Sequence, residues 1–104
     1  MAKKLKPINE CKTVAELLSS PSRWTRNTNA RNNLGGVVCT NNPKACRFCL
    51  MGAIYRISAN TNIDSSILVK KWYDGNHDLN TGITWFNDSN SFKKVRRSVL
   101  KAKI

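Results

Sequence analysis

The residues with the widest chemical range in this chain are four cysteines and a single histidine: Cys11, Cys39, Cys46, Cys49 and His77. With Cys49 as nucleophile, His77 as base and Asn87 or Asp88 as orienter, they would follow the order of a papain-like thiol site. Such common residue types carry little specificity. His77 also stands in the loop Asp74-Gly75-Asn76-His77-Asp78, where a solvated imidazole is the ordinary outcome. Cys39-x6-Cys46-x2-Cys49 holds one Cys-x2-Cys pair, and Cys11 or His77 would have to complete a zinc set. Structural zinc sites normally show two such pairs, and Cys46 and Cys49 lie in an apolar stretch where free cysteine behaves as a small hydrophobe. The six acidic residues are scattered, with no close carboxylate pair, no glycine-rich phosphate loop and no His-Glu-x-x-His motif. The expectation is a protein without catalytic residues, metal or cofactor, with the Cys49 thiol enzyme as an alternative.

The cations say more. Eighteen Lys and Arg against six Asp and Glu give a net charge of +12. A surplus of this size repels itself in the compact state and draws in polyanions. Its sharpest concentration is near the end, where Lys93, Lys94, Arg96, Arg97 and Lys101 follow Ser89 with no acidic residue among them. Phe92, Val95 and Val99 take the inward stripe of a helix there, so these five cations fan over the exposed face as the candidate polyanion site. The expected partner is nucleic acid or an acidic host protein. Arg31, Arg47, Arg56, Trp85 and Asn87 form a second candidate set, a pocket for a nucleotide-type ligand. The two readings differ in shape: a convex basic face for a polymer, a concave cleft for a small molecule.

The elements that must position these groups follow from local signals. At 104 residues the chain has room for one domain with a modest core. Residues 1–10, with Lys3, Lys4 and Lys6, read as a flexible basic arm, and residues 11–104 as the globular domain. Thr13-Val14-Ala15-Glu16 is a capping box that opens a first helix, stopped at Pro21, with Trp24 folding back on its apolar face. Asn32-Asn33-Leu34-Gly35-Gly36 has tight-turn chemistry ahead of Val37-Val38, so a short irregular hairpin is expected. Asn42-Pro43 reads as the start of a central helix, apolar nearly all round from Ala45 to Ile57 and therefore buried. Asp64 caps a third helix carrying Ile67, Leu68 and Trp72, Ile83 to Phe86 reads as extended, and Ser91 caps the last helix. The fold class is α+β, a mostly helical single domain of about four helices with a short β-hairpin.

Several of these pieces together resemble a family of small uncharacterised domains of bacteriophages and bacteria. They are Leu17-Leu18 running to Trp24, Ala30-Arg31 with Gly35, Cys49-Leu50-Met51-Gly52-Ala53, Trp85 with Asn87-Asp88, and a closing helix with Val95 and Ala102. The resemblance spans residues 14–102; this chain departs from the family in Phe86, in a shorter segment after Asn87 and in its more basic last helix. It implies a phage or mobile-element setting, in which an accessory protein for host takeover or counter-defence binds host machinery, nucleic acid or a signalling nucleotide. Independently of it, Gly52 and Ala53 beside Cys49 let another backbone approach the central helix, and Asn87-Asp88 are placed to cap the last helix or to hydrogen-bond into a pocket.

No apolar run follows the basic start as a signal peptide would need, and none approaches a membrane span; Phe48 to Ile54 is the best and is far too short. The expectation is a cytoplasmic protein, of the host if phage-encoded, with reduced cysteines and no membrane partner.

Overall fold

The computed structural model describes residues 5–104 and shows an α+β domain dominated by helices. Helix α1 (Val14–Leu17) starts at the capping box: the Thr13 hydroxyl accepts from Glu16 N at 3.0 Å, and the Glu16 carboxylate accepts from Thr13 N at 3.2 Å. Strands β1 (Ala30–Arg31) and β2 (Arg47–Phe48) form an antiparallel pair. Helices α2 (Leu50–Thr61), α3 (Ser65–Gly75), α4 (Ile83–Ser89) and α5 (Phe92–Ala102) follow. Asp64 caps α3 and Ser91 caps α5, as their sequence signals predict.

Packing runs through two lines of contact. α3 lies along α5, close enough that a methyl on Gly75 would stand 2.8 Å from Cα of Ala102. α2 packs against α1, α3 and α4. Trp72, Phe48, Leu17, Leu18, Leu50, Ile54, Ile57, Val95 and Val99 are among the large side chains wholly inside. Trp72 is also tied polarly, its indole N–H donating to the Ser98 hydroxyl at 3.0 Å. A buried indole needs such a partner, and α5 supplies it from its inward face.

Three local expectations are corrected by the tertiary structure. The central helix begins at Leu50 rather than at Asn42. The Asn42 side chain instead closes a turn onto Lys44 N at 2.8 Å, and the backbone amides of Cys46 and Cys49 donate to the carbonyls of Arg31 and Asn29. With those amides paired across to residues 29 and 31, 46–49 is extended and Phe48 joins the sheet. The hairpin turn forms, with Gly35 at φ +85 and an Arg31–Val37 bridge, but the strand lying beside β1 is β2. Ile83 to Phe86 is helical, because α4 must bury Ile83, Phe86 and Asn87 together, a spacing only a helix puts on one face.

The expected arm is partly docked. Ile8–Glu10 forms a 3-10 turn, Lys6 pairs with Glu16, and the Asn60 amide donates to the carbonyls of Ile8 and Cys11 at 2.9 and 3.0 Å. Lys3 and Lys4 lie outside the described residues.

Candidate functional site

Helix α5 carries the candidate face. Its inward stripe is Val95, Ser98, Val99 and Ala102, which turns Lys93, Lys94, Arg97 and Lys101 outward. The last turn closes on Lys103 in the left-handed region, with its amide donating to Leu100 O at 3.2 Å. Exposed Leu100 breaks the cationic surface near that end.

Arg96 leaves the set. Its guanidinium reaches across to α1 and donates to the carbonyls of Ala15 and Leu18, both at 2.8 Å. Those are the orphan carbonyls at the end of a very short helix, and a planar five-donor cation satisfies two at once. Arg96 therefore joins α5 to α1. Lys101 has a different partner, the Asp78 carboxylate at 2.9 Å, with both side chains about half exposed. The helix holds no acid of its own, but the turn beside it supplies one. Lys93, Lys94 and Arg97 remain, with no carboxylate in ion-pair range among the described residues.

Four other acids are engaged elsewhere. Lys6 holds the Glu16 carboxyl below its ordinary range, helped by the amide of Lys12, and Asp74 pairs with Lys70. Asp64 is held low by the amide and hydroxyl of Ser66 at the start of α3. Asp88 accepts from Asn27 N at 2.9 Å. This placement leaves the outer face of α5 as a cationic surface that screening by solvent, not by carboxylates, must balance.

Two grooves flank α5. One, of about 340 Å³, lies toward α4 and the His77–Leu79 turn and is bordered by Lys94, Arg97 and Lys101. The other, of about 360 Å³, runs along Phe92, Lys93, Arg96, Arg97 and Leu100. No protein-family model, curated protein or solved structure matches the chain. The functional reading therefore stands on this geometry.

Of the candidate pocket residues Arg31, Arg47, Arg56, Trp85 and Asn87, none lines either groove beside α5. Arg31 donates to the Thr25 hydroxyl at 3.0 Å and to Gly35 O at 3.0 Å, clamping the hairpin turn. Arg56 donates to Thr40 O at 2.8 Å and so pins the loop before β2. Arg47 and Trp85 are exposed. Asn87 is wholly buried and bonds to Trp24, Leu50, Thr25 and Asp88; it does not cap α5, which Ser91 does. Loop carbonyls without ladder partners recruit arginine readily, and a composition-based reading counts such arginines as free.

The thiol triad is not assembled either. Cys49 is the N-cap of α2, its sulfur accepting from Gly52 N at 3.2 Å. The helix therefore starts at the thiol, not well before it. Burial nonetheless pushes the Cys49 thiol up, outweighing the amide hydrogen bonds that pull it down, and the Asp88 charge adds to the rise. An activated nucleophile needs the opposite shift. His77 bonds to Asp74 O on an exposed turn and makes no hydrogen bond to Cys49 among the described residues. Nor does any group of three His, Cys, Asp or Glu there stand close enough to hold a metal.

Alkylation should rank the thiols accordingly. At neutral pH, iodoacetamide followed by peptide mass mapping is expected to label exposed Cys39 first and half-buried Cys46 next. Cys11 and Cys49, both buried and both raised by desolvation, should react only at the rate of opening. Labelling of Cys49 ahead of Cys39 would restore the enzyme reading.

What sequence reasoning missed is the first groove. Asn76, Leu79 and Asn90 belong to it, and they sit in turns or at a helix end with no periodic signal. Leu79, an apolar residue within a polar loop, was the one available hint.

Proposed function

We propose that this protein is a non-catalytic polyanion-binding module, with nucleic acid as its partner and the outer face of α5 as its contact surface. The observation that carries the reading is the clustering of Lys93, Lys94 and Arg97, all exposed, on one helix face with no carboxylate in ion-pair range among the described residues. Lys and Arg contacts to phosphates release condensed counterions, so their number sets the salt dependence of binding. The accessory role that the family resemblance implies, in a phage or mobile element, is compatible with such a module. An acidic host protein is the other partner this surface suits. No helix among the described residues is long and apolar enough to cross a membrane.

Anisotropy titrations with labelled duplex DNA and RNA over a salt series test the reading. Three phosphate contacts predict a log–log slope of about −2.7, a loss of about forty-fold between 50 and 200 mM salt. The triple variant K93E/K94E/R97E should bind at least ten-fold more weakly at low salt and with a nearly flat slope. Arg96→Gln is the control: it should lower thermal stability through the freed α1 carbonyls while leaving the slope in place. If the triple variant binds DNA and RNA as tightly as the parent, the reading is wrong. Loss of all binding to nucleic acids with retention of an acidic protein partner would move it to that partner.

A further inference from the structure

The groove between α5, α4 and the His77–Leu79 turn has walls of contrasting chemistry. On one side stand Lys94, Arg97 and Lys101, successive along one line of the helix. Leu79, 37% exposed, and the edge of Phe86, 7% exposed, make an apolar surface. Asn76 also lines it and is only 3% exposed. Its amide nitrogen donates to Trp72 O at 2.9 Å and Ser98 O at 3.0 Å, which fixes the orientation of the amide. The side-chain oxygen is left as an acceptor with no hydrogen-bond partner among the described residues, and Asn76 borders both this groove and the neighbouring one along Tyr73, His77 and Gly82. A cationic wall, an apolar face and a fixed acceptor together describe a ligand with an anionic end and a flat body bearing N–H donors.

We propose that this cleft seats one 5′-phosphorylated nucleotide, its phosphate on Lys94 and Arg97 and its base against Leu79 and Phe86, with an exocyclic amine toward Asn76. The charges match in number. Asp78 neutralises Lys101, which leaves two cations facing a phosphate monoester of charge about −2. The volume of about 340 Å³ falls at the small end of ligand sites, the size of a single nucleotide rather than a cofactor. A fatty acid or lipid chain would leave the Asn76 oxygen unpaired, and inorganic phosphate would not use the apolar wall. Because Lys94 and Arg97 also border the polymer-binding face, the proposal rests on that reading. The nucleotide is then the 5′ end of a bound strand, and a free mononucleotide is the other source of the same chemistry.

Amide NMR titrations of the full chain separate these cases, with 5′-AMP, adenosine, purine riboside 5′-monophosphate and ten-nucleotide oligo(dA) with and without a 5′-phosphate. 5′-AMP should shift the amides of Leu79, Phe86 and Asn90, and adenosine should bind at least ten-fold more weakly. The purine riboside monophosphate, lacking the amine, should be weaker by about five-fold. Preference for the phosphorylated oligonucleotide over its unphosphorylated form assigns the strand end, and equal affinity of the two assigns the free nucleotide. Leu79→Trp, which fills the cleft from an exposed turn, should abolish the 5′-AMP shifts without changing duplex binding. Asp78→Asn frees Lys101 and should tighten 5′-ADP several-fold. Absence of shifts at these amides with 5′-AMP, or shifts that persist in Leu79→Trp, overturns the cleft proposal while duplex binding keeps the α5 reading alive. 5′-AMP binding without any duplex or oligonucleotide binding overturns the α5 reading and leaves the cleft in place.

Discussion

Replacing Gly52 with alanine is expected to cost the domain about 3 kcal/mol or more, a fall in melting temperature of roughly 12 °C or more for a chain of this size. Gly52 lies in the first turn of α2, and the carbonyl of Asn29 crosses directly over it. A methyl there would stand 1.9 Å from the Asn29 oxygen and 2.7 Å from its carbon. Neither atom can yield cheaply. The Asn29 carbonyl accepts from Cys49 N at 3.3 Å, and the next residue, Ala30, is wholly buried and paired with Phe48. Moving it would pull β1 from β2 and disturb the cap of α2 together. The helix-propensity gain from Gly to Ala is about 1 kcal/mol and cannot offset such an overlap. Gly75→Ala should cost less, because the atoms it meets belong to Ala102 at the end of α5. Gly82→Ser is the neutral control, since an added Cβ there meets only the Tyr73 hydroxyl at 3.9 Å. Thermal melts of the three variants decide the matter. A loss below about 1 kcal/mol for Gly52→Ala would mean that the chain does not approach α2 this closely.

The sequence made this approach legible in part. Gly52 and Ala53 announced a crossing, but nothing local said that Asn29 would make it. The same division runs through the fold. Capping signals at Thr13, Asp64 and Ser91 were readable because each acts within three residues, and all three begin helices. The Asn42-Pro43 signal was equally clear and misled, because the amides of Cys46 and Cys49 are taken by carbonyls more than a dozen residues upstream. Ile83 to Phe86 has β-branched and aromatic composition, and it is helical because burial of Asn87 outweighs propensity. The candidate site divides alike. The outward turn of Lys93, Lys94 and Arg97 followed from the α5 stripe alone. The removal of Arg96 to α1 and the pairing of Lys101 with Asp78 are tertiary facts, as is the cleft that Asn76 and Leu79 complete.

Asn87 is where those tertiary facts converge, and its substitution is the second large effect expected. Its side chain is wholly buried. The amide oxygen accepts from the Trp24 indole at 2.7 Å and from Leu50 N, the first amide of α2, at 2.9 Å. Its nitrogen donates to Thr25 O at 3.1 Å and to the Asp88 carboxylate at 3.0 Å. One residue of α4 thus fixes α2, the segment after α1, and Trp24, whose ring also packs on Phe92 of α5 at 5.8 Å between centroids. Asn87→Ala strands two donors and an acceptor in the interior and should cost about 3–5 kcal/mol, independent of pH near neutrality. Asn87→Asp keeps the shape and the acceptor but turns an oxygen toward the Thr25 carbonyl and the Asp88 carboxylate. Burial and that neighbouring charge should raise the new carboxyl above its unfolded value, outweighing the Trp24 and Leu50 N–H donors that favour its charged form, and its protonated form regains a donor to Thr25. The folded state then binds the proton more tightly, so stability is present below the unfolded pKa and lost as pH rises through the folded one. In urea melts the Asp variant should lie far below the parent at pH 7 and recover part of the gap at pH 4.5, while the Ala variant shows the same gap at both. An Asp variant as stable as the parent at pH 7 would show that the Asn87 nitrogen holds neither Thr25 nor Asp88, and that the junction of the helices lies elsewhere.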